Sequence, residues 1–180
     1  NEILADVKAL SYTSEIPIPD TAFIPFNNGV YDLDQEVLLP YYPKMFFTAK
    51  IPTNYNPEAS CPTIDRIFGE IVNPDNIVDL YELIAYSMFR DYPAHKMFFL
   101  YGRGSNGKTT YTKILENTLG KTNISSVSLY EFQANRFAGA ELFGKYVNIS
   151  SELEYKELKK TTLLKRLCGG DLIRGEQKYR

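Results

Sequence analysis

The 180 residues contain no tryptophan, one histidine (His95) and two cysteines, Cys61 and Cys168. A single histidine excludes mechanisms built on several. The two cysteines lie far apart with no histidine beside them. They match neither a disulfide framework nor a zinc site and are expected in a reducing, cytoplasmic setting. No apolar run reaches the ~18 residues that span a bilayer, so no membrane partner is expected. The opening "NEILADVKAL" lacks the basic flank and long apolar core of a secretory signal. Asn1 is not an initiator methionine, which reads as a piece of a longer chain.

What is present is ordinary for a globular protein: 44% hydrophobic and 23% charged residues. The net charge of −2 hides an asymmetry. Residues 1–95 hold 5 Lys/Arg against 14 Asp/Glu, whereas residues 156–180 hold 8 against 3. The acidic half is a poor match for a phosphate backbone. The basic tail can follow one, or can be a solvated helix face.

The spacing predicts two units, 1–95 and 96–180. In the first, "FIPFNNGVYDL" places Asn28-Gly29 between apolar residues, a hairpin signal. Ile64, Ile67, Phe68 and Ile71 then recur at helical steps, as do Ile77, Leu80, Leu83 and Ile84. Pro62 suits the first turn of one helix, and Asn73-Pro74-Asp75 breaks it from the next. In the second unit, "KMFFLY" reads as a strand buried on both faces of a parallel sheet. A helix carrying Tyr111, Ile114, Leu115 and Leu119 follows and ends at Gly120. "SLYEFQANRFAGAELF" reads as helical and "KYVNIS" as a second buried strand. A short helix, "TTLLKRLC", leads into "GGDLIRGEQKYR", whose glycines suggest a hairpin. The expected fold class is α/β: a P-loop NTPase three-layer core, incomplete at its C-terminus, behind a small mixed α+β, mainly helical domain.

Gly102-Arg103-Gly104-Ser105-Asn106-Gly107-Lys108-Thr109 fits G-x-x-x-x-G-K-[ST] at every fixed position. The glycines let backbone N–H groups turn inward on an anion, and the following helix adds its positive dipole end. Lys108 can reach the β- and γ-phosphates of ATP, the Thr109 hydroxyl can ligate Mg²⁺, and Thr110 adds a further phosphate contact. Ser105 and Asn106 complete the cradle. Arg103 either touches phosphate or faces solvent. Such a cradle needs an acidic group that holds Mg²⁺ through water and polarises the attacking water. The end of the next apolar run supplies Glu152, with Glu154 as the fallback. The bland alternative for both is an acid at a helix start.

"FFLYGRGSNGKTT", "FGKYVNISSELE" and "LLKRLCGGDLIRGEQKYR" resemble, in order, the A, B and B′ motifs of superfamily 3 helicases. The resemblance is to the phage/plasmid and poxvirus-type primase-helicase group. "FIPFNNGVYDL", "FFTAKIPTNYNP" and "LYELIAYSMF" resemble the domain that precedes the ATPase core there. The resemblance implies an ATP-driven motor on single-stranded or forked DNA, working as a ring, usually a hexamer. It puts Glu152 at the acidic B position and Gly169, Gly170 and Asp171 in the B′ segment. Lys178 falls at the tip of a DNA-contacting hairpin, with Arg174 and Arg180 as weaker candidates. Tyr179 either stacks a base or packs in the core. A sensor asparagine and an arginine finger, both parts of that family, would lie beyond residue 180, and a primase domain before Asn1. Two other readings compete: a P-loop kinase of a small metabolite, and a nucleotide-binding oligomerisation adaptor without turnover. The kinase reading would want several arginines in an acceptor lid, and only Arg136 lies between Gly120 and the second strand.

Overall fold

The computed structural model describes residues 20–151, 153, 161–170 and 176. The chain opens with an antiparallel meander of β1 (Phe23–Phe26), β2 (Gly29–Asp32) and β3 (Val37–Leu39). The predicted hairpin is present, but its two-residue turn is Asn27-Asn28, one position early, and Gly29 opens β2 opposite Phe26. Packing explains the shift. A Cβ at Gly29 would lie 2.5 Å from the Leu39 carbonyl oxygen, so the glycine is needed within the ladder rather than in the turn. Asn28 is free to dock a neighbouring segment. Its amide donates to the Tyr55 carbonyl (2.9 Å), and its oxygen accepts from the Tyr55 N–H (2.8 Å). The Ile51 N–H donates to the Pro25 carbonyl (2.8 Å), laying a fully buried Ile51 against β1.

Helix α1 runs Pro62–Ile71, with proline where a missing N–H costs nothing. A 3-10 turn at Pro74–Asn76 separates it from α2, Ile77–Met88. All eight apolar residues predicted to stripe these helices join the core. Helix α3 (Lys108–Leu119) ends at Gly120, whose φ of 85° stops it in the left-handed region. Ile24, Phe26, Ile51, Phe68, Ile84, Tyr111, Leu115 and Leu119 form one buried cluster, so residues on both sides of position 95 share a core. Tyr111 stitches them together. Its ring lies 5.7 Å from that of Phe68, and its hydroxyl donates to the Leu80 carbonyl at 2.9 Å.

Beyond α3, β4 (Ile124–Ser125) pairs in parallel with β5 (Val147–Asn148). Between them lie α4 (Leu129–Ala134), opened by a Ser128–Glu131 capping box, and a 3-10 turn at Ala138–Leu142. The last described helix is α5, Thr161–Cys168.

Three expectations need correction. Residues 97–101 form no strand and are not buried: Phe98 is 53%, Phe99 57% and Tyr101 99% exposed. A strand exists only through its neighbours' hydrogen bonds, and among the described residues this run has no ladder partner. For the same reason "KYVNIS" is a strand only at Val147–Asn148, the two residues that pair with β4. The helix expected over 128–143 stops at Ala134, because the Asn135 side chain accepts from the Phe137 N–H (3.0 Å) and turns the backbone out of the helix.

Candidate functional site

The loop between residues 102 and 107 is held by contacts of its own side chains. Asn106 folds back so closely over Gly102 that a Cβ there would meet the amide nitrogen at 1.7 Å. Its side-chain oxygen then accepts from Lys108 Nζ at 2.7 Å. The same ammonium donates to the Gly102 carbonyl (2.9 Å) and the Arg103 carbonyl (3.1 Å). Three acceptors fix a point charge across the mouth of the loop. A fourth constraint comes from below. Gly107 has φ 84°, and a Cβ on it would lie 2.1 Å from Ile71 Cγ2, so the loop rests on the last residue of α1.

Above the loop there is room. A Cβ added to Gly104 would have no atom within 4 Å. Gly107 is the N-cap of α3, and no side chain caps the helix start. The first-turn N–H groups and the dipole are therefore available to an anion, and Thr109 and Thr110 present exposed side chains beside them. Glycines at the approach face, an anchored ammonium, free N–H donors and two hydroxyls fit a polyphosphate. Thr109 also supplies the kind of hard oxygen that Mg²⁺ takes.

The structure brings together Gly102, Gly104, Ser105, Asn106, Gly107, Lys108, Thr109 and Thr110. Glu152, Glu154, Asp171, Arg174, Lys178, Tyr179 and Arg180 lie outside the described residues. Gly169 and Gly170 form a turn closing α5, where the Gly169 N–H donates to the Lys165 carbonyl (2.7 Å). Glu176 pairs with Arg136 Nε at 3.2 Å, so the one arginine between Gly120 and β5 is engaged with the C-terminal segment. Sequence reasoning missed Ile71 as the floor of the loop and Asn106 as its clamp. Ile71 carried only a core-stripe signal, and Asn106 occupies a position that the motif leaves free.

Two family models match the chain. Residues 1–73 match "D5 N terminal like", and residues 100–180, which include the loop, match a family of unknown function, DUF5906. The first match supports the primase-helicase group of phage and viral replication proteins, and with it a role in DNA replication. No curated protein matches the chain. Among the described residues, no helix is long and apolar enough to cross a membrane.

Proposed function

We propose that the chain carries the nucleotide-binding part of an ATP-dependent DNA helicase of superfamily 3, with a P-loop NTPase core, working as a ring on single-stranded or forked DNA. The observation that carries this reading is the Lys108 ammonium, anchored by three loop oxygens at an uncapped helix start. It occurs in a chain whose first 73 residues match the D5 N-terminal model.

The chemistry is phosphoryl transfer from ATP to water. Backbone N–H groups of the loop and of the first turn of α3 orient the phosphates, and Lys108 trades a loop acceptor for a γ-phosphate oxygen as charge develops there. Thr109 and Glu152 are the residues that would hold Mg²⁺, which would supply neutralisation of the phosphate charge. Glu152 also takes the role of aligning and polarising the attacking water. Lys178, Arg174 and Arg180 take the DNA contacts of the basic tail.

The test is ATP hydrolysis by the full-length protein with and without single-stranded DNA, run beside Lys108→Ala and Lys178→Ala. The motor reading expects DNA to raise turnover, Lys108→Ala to abolish it and Lys178→Ala to remove the DNA response alone. Turnover indifferent to DNA would favour a kinase. Ring assembly with no turnover would favour an adaptor.

A further inference from the structure

A cavity of about 900 Å³ opens at the far end of α3 from the phosphate loop. Tyr41, Phe47 and Phe143 supply its aromatic faces, and Lys50 and Lys145 its charges. No aspartate or glutamate is among the described residues that line it. This is unexpected in a chain of net charge −2 whose first 95 residues carry 14 acids. The lining falls within residues 41–52, 122–123 and 143–145, which contain Lys44, Lys50 and Lys145 and no carboxylate. Acids flank these segments on both sides, at Glu36 and Glu58, Glu116 and Glu131, and Glu141 and Glu152.

The aromatic groups differ in how they are held. The Tyr41 hydroxyl donates to the Phe26 carbonyl (2.5 Å), and its ring meets Phe47 edge-on at 6.3 Å, so this wall is fixed to the meander. Phe143 stands opposite, 73% exposed, on the residue before a left-handed Gly144. With the Tyr41 and Phe47 rings it lines one cavity, so its exposed face is part of a grouped aromatic lining rather than a lone surface ring. A flat partner with a negative backbone would use both the rings and the lysines. Gly144 and Lys145 also line a second, adjoining cavity with Arg90 and Tyr146. There the Arg90 guanidinium lies over the Tyr146 ring, 5.7 Å from its centroid, and donates to the Thr48 hydroxyl at 3.4 Å. Asp91 also lines this second cavity, so the acid-free lining belongs to the first cavity and ends here.

We infer that this groove binds single-stranded DNA, with bases against Phe143 and the Tyr41–Phe47 wall and phosphates along Lys50 and Lys145. Aromatic and cationic groups lining the first cavity without a carboxylate match stacking plus backbone neutralisation. A duplex hides its base faces and cannot use the rings. The inference rests on the DNA-acting function proposed above, and it concerns residues other than those of the phosphate loop and the basic tail.

The test uses the full-length protein and fluorescein-labelled oligo(dT), read by anisotropy over a range of salt. Phe143→Ala and Lys50→Glu alter exposed side chains that make no described hydrogen bond, so melting temperature and DNA-free ATP hydrolysis should match wild type. Phe143→Ala is expected to weaken oligo(dT) binding roughly tenfold. Lys50→Glu is expected to weaken it too, and to lower the slope of log K against log salt by about 0.7 or more. Wild-type affinity and salt slope in both variants would overturn the inference, as would equal competition by duplex DNA or by polyglutamate. If ATP hydrolysis is absent from wild type but the variants still lose oligo(dT), the groove stands and the motor reading falls. If ATP hydrolysis persists and the variants bind normally, the groove alone is wrong.

Discussion

Ile71 ends α1 directly beneath Gly107, close enough that a Cβ on the glycine would lie 2.1 Å from Ile71 Cγ2. The floor of the glycine-rich loop is thus built by a residue 36 positions earlier, on the other side of the expected domain boundary. Gly107→Ala would add both a clash and a left-handed alanine. The expected cost is about 2–4 kcal/mol, which for a chain of this size lowers the melting temperature by roughly 5–15 °C. Differential scanning calorimetry checks it, and an unchanged transition would mean that loop and helix do not touch. Ile71→Ala should cost about 1–3 kcal/mol and weaken nucleotide binding, although Ile71 cannot reach a nucleotide itself.

The anchoring of Lys108 separates positioning from charge. Asn106→Ala removes one of three acceptors and leaves the two carbonyls. A fluorescent ATP analogue should bind this variant several-fold more weakly, whereas Lys108→Ala should lose at least 1.4 kcal/mol, about tenfold. Equal losses for the two would mean that the side-chain amide contacts the phosphates directly and is no mere support.

These relationships mark where the sequence was legible. The stripes of α1, α2 and α3 were readable because helical periodicity is local, and Pro62 and Gly120 punctuate the ends of α1 and α3. The glycine-rich loop before α3 was expected from its motif, and the start of α3 at Lys108 follows it. Contacts made across distance were not readable. Residues 97–101 look like a buried strand by composition, yet strand formation depends on partners that no local pattern specifies. The hairpin slipped by one residue because Gly29 answers to Leu39 rather than to its own turn. The helix after Ser128 was overestimated because Asn135, a single polar side chain, competes with the backbone.

Tyr111 offers a pH readout of the shared core. Burial pushes its phenol up to about 12 from an ordinary value of 10. The folded state thus favours the neutral form. The stability this contributes is complete below pH 10 and is lost as pH rises toward 12, because the unfolded chain ionises first. Burial, reinforced by a hydrogen bond to Asp65, also raises Tyr81 to about 12, and burial raises Tyr92 to about 12. Wild type should therefore lose stability across this range by several groups at once. Tyr111→Phe should lose it less steeply, while being about 1–2 kcal/mol less stable at neutral pH because the Leu80 carbonyl loses its donor. Urea midpoints at pH 8, 10 and 11 compare the two slopes, and parallel curves would show that Tyr111 is not titrating in the core.

Asn123 ties the end of α3 to the meander side of the protein. Its buried amide donates to the Leu119 carbonyl and to the Lys50 carbonyl, each at 2.7 Å, while a Cβ on Gly120 would meet Pro52 at 2.7 Å. Helix α3 is 12 residues long, so these contacts lie about 18 Å along one rigid element from Lys108. Asn123→Ala leaves two carbonyls without a donor and should cost about 2–4 kcal/mol. The loss should be local. Leu119 is at a helix end already stopped by Gly120, whereas the Lys50 carbonyl is held by this amide one residue before the Ile51–Pro25 bond. Hydrogen exchange should therefore quicken at least tenfold around Ile51, whose N–H bonds the Pro25 carbonyl, and much less in the first two turns of α3. Uniform acceleration along α3 would instead show that Asn123 holds the whole helix, and that the phosphate loop senses the state of segment 50–52 through it.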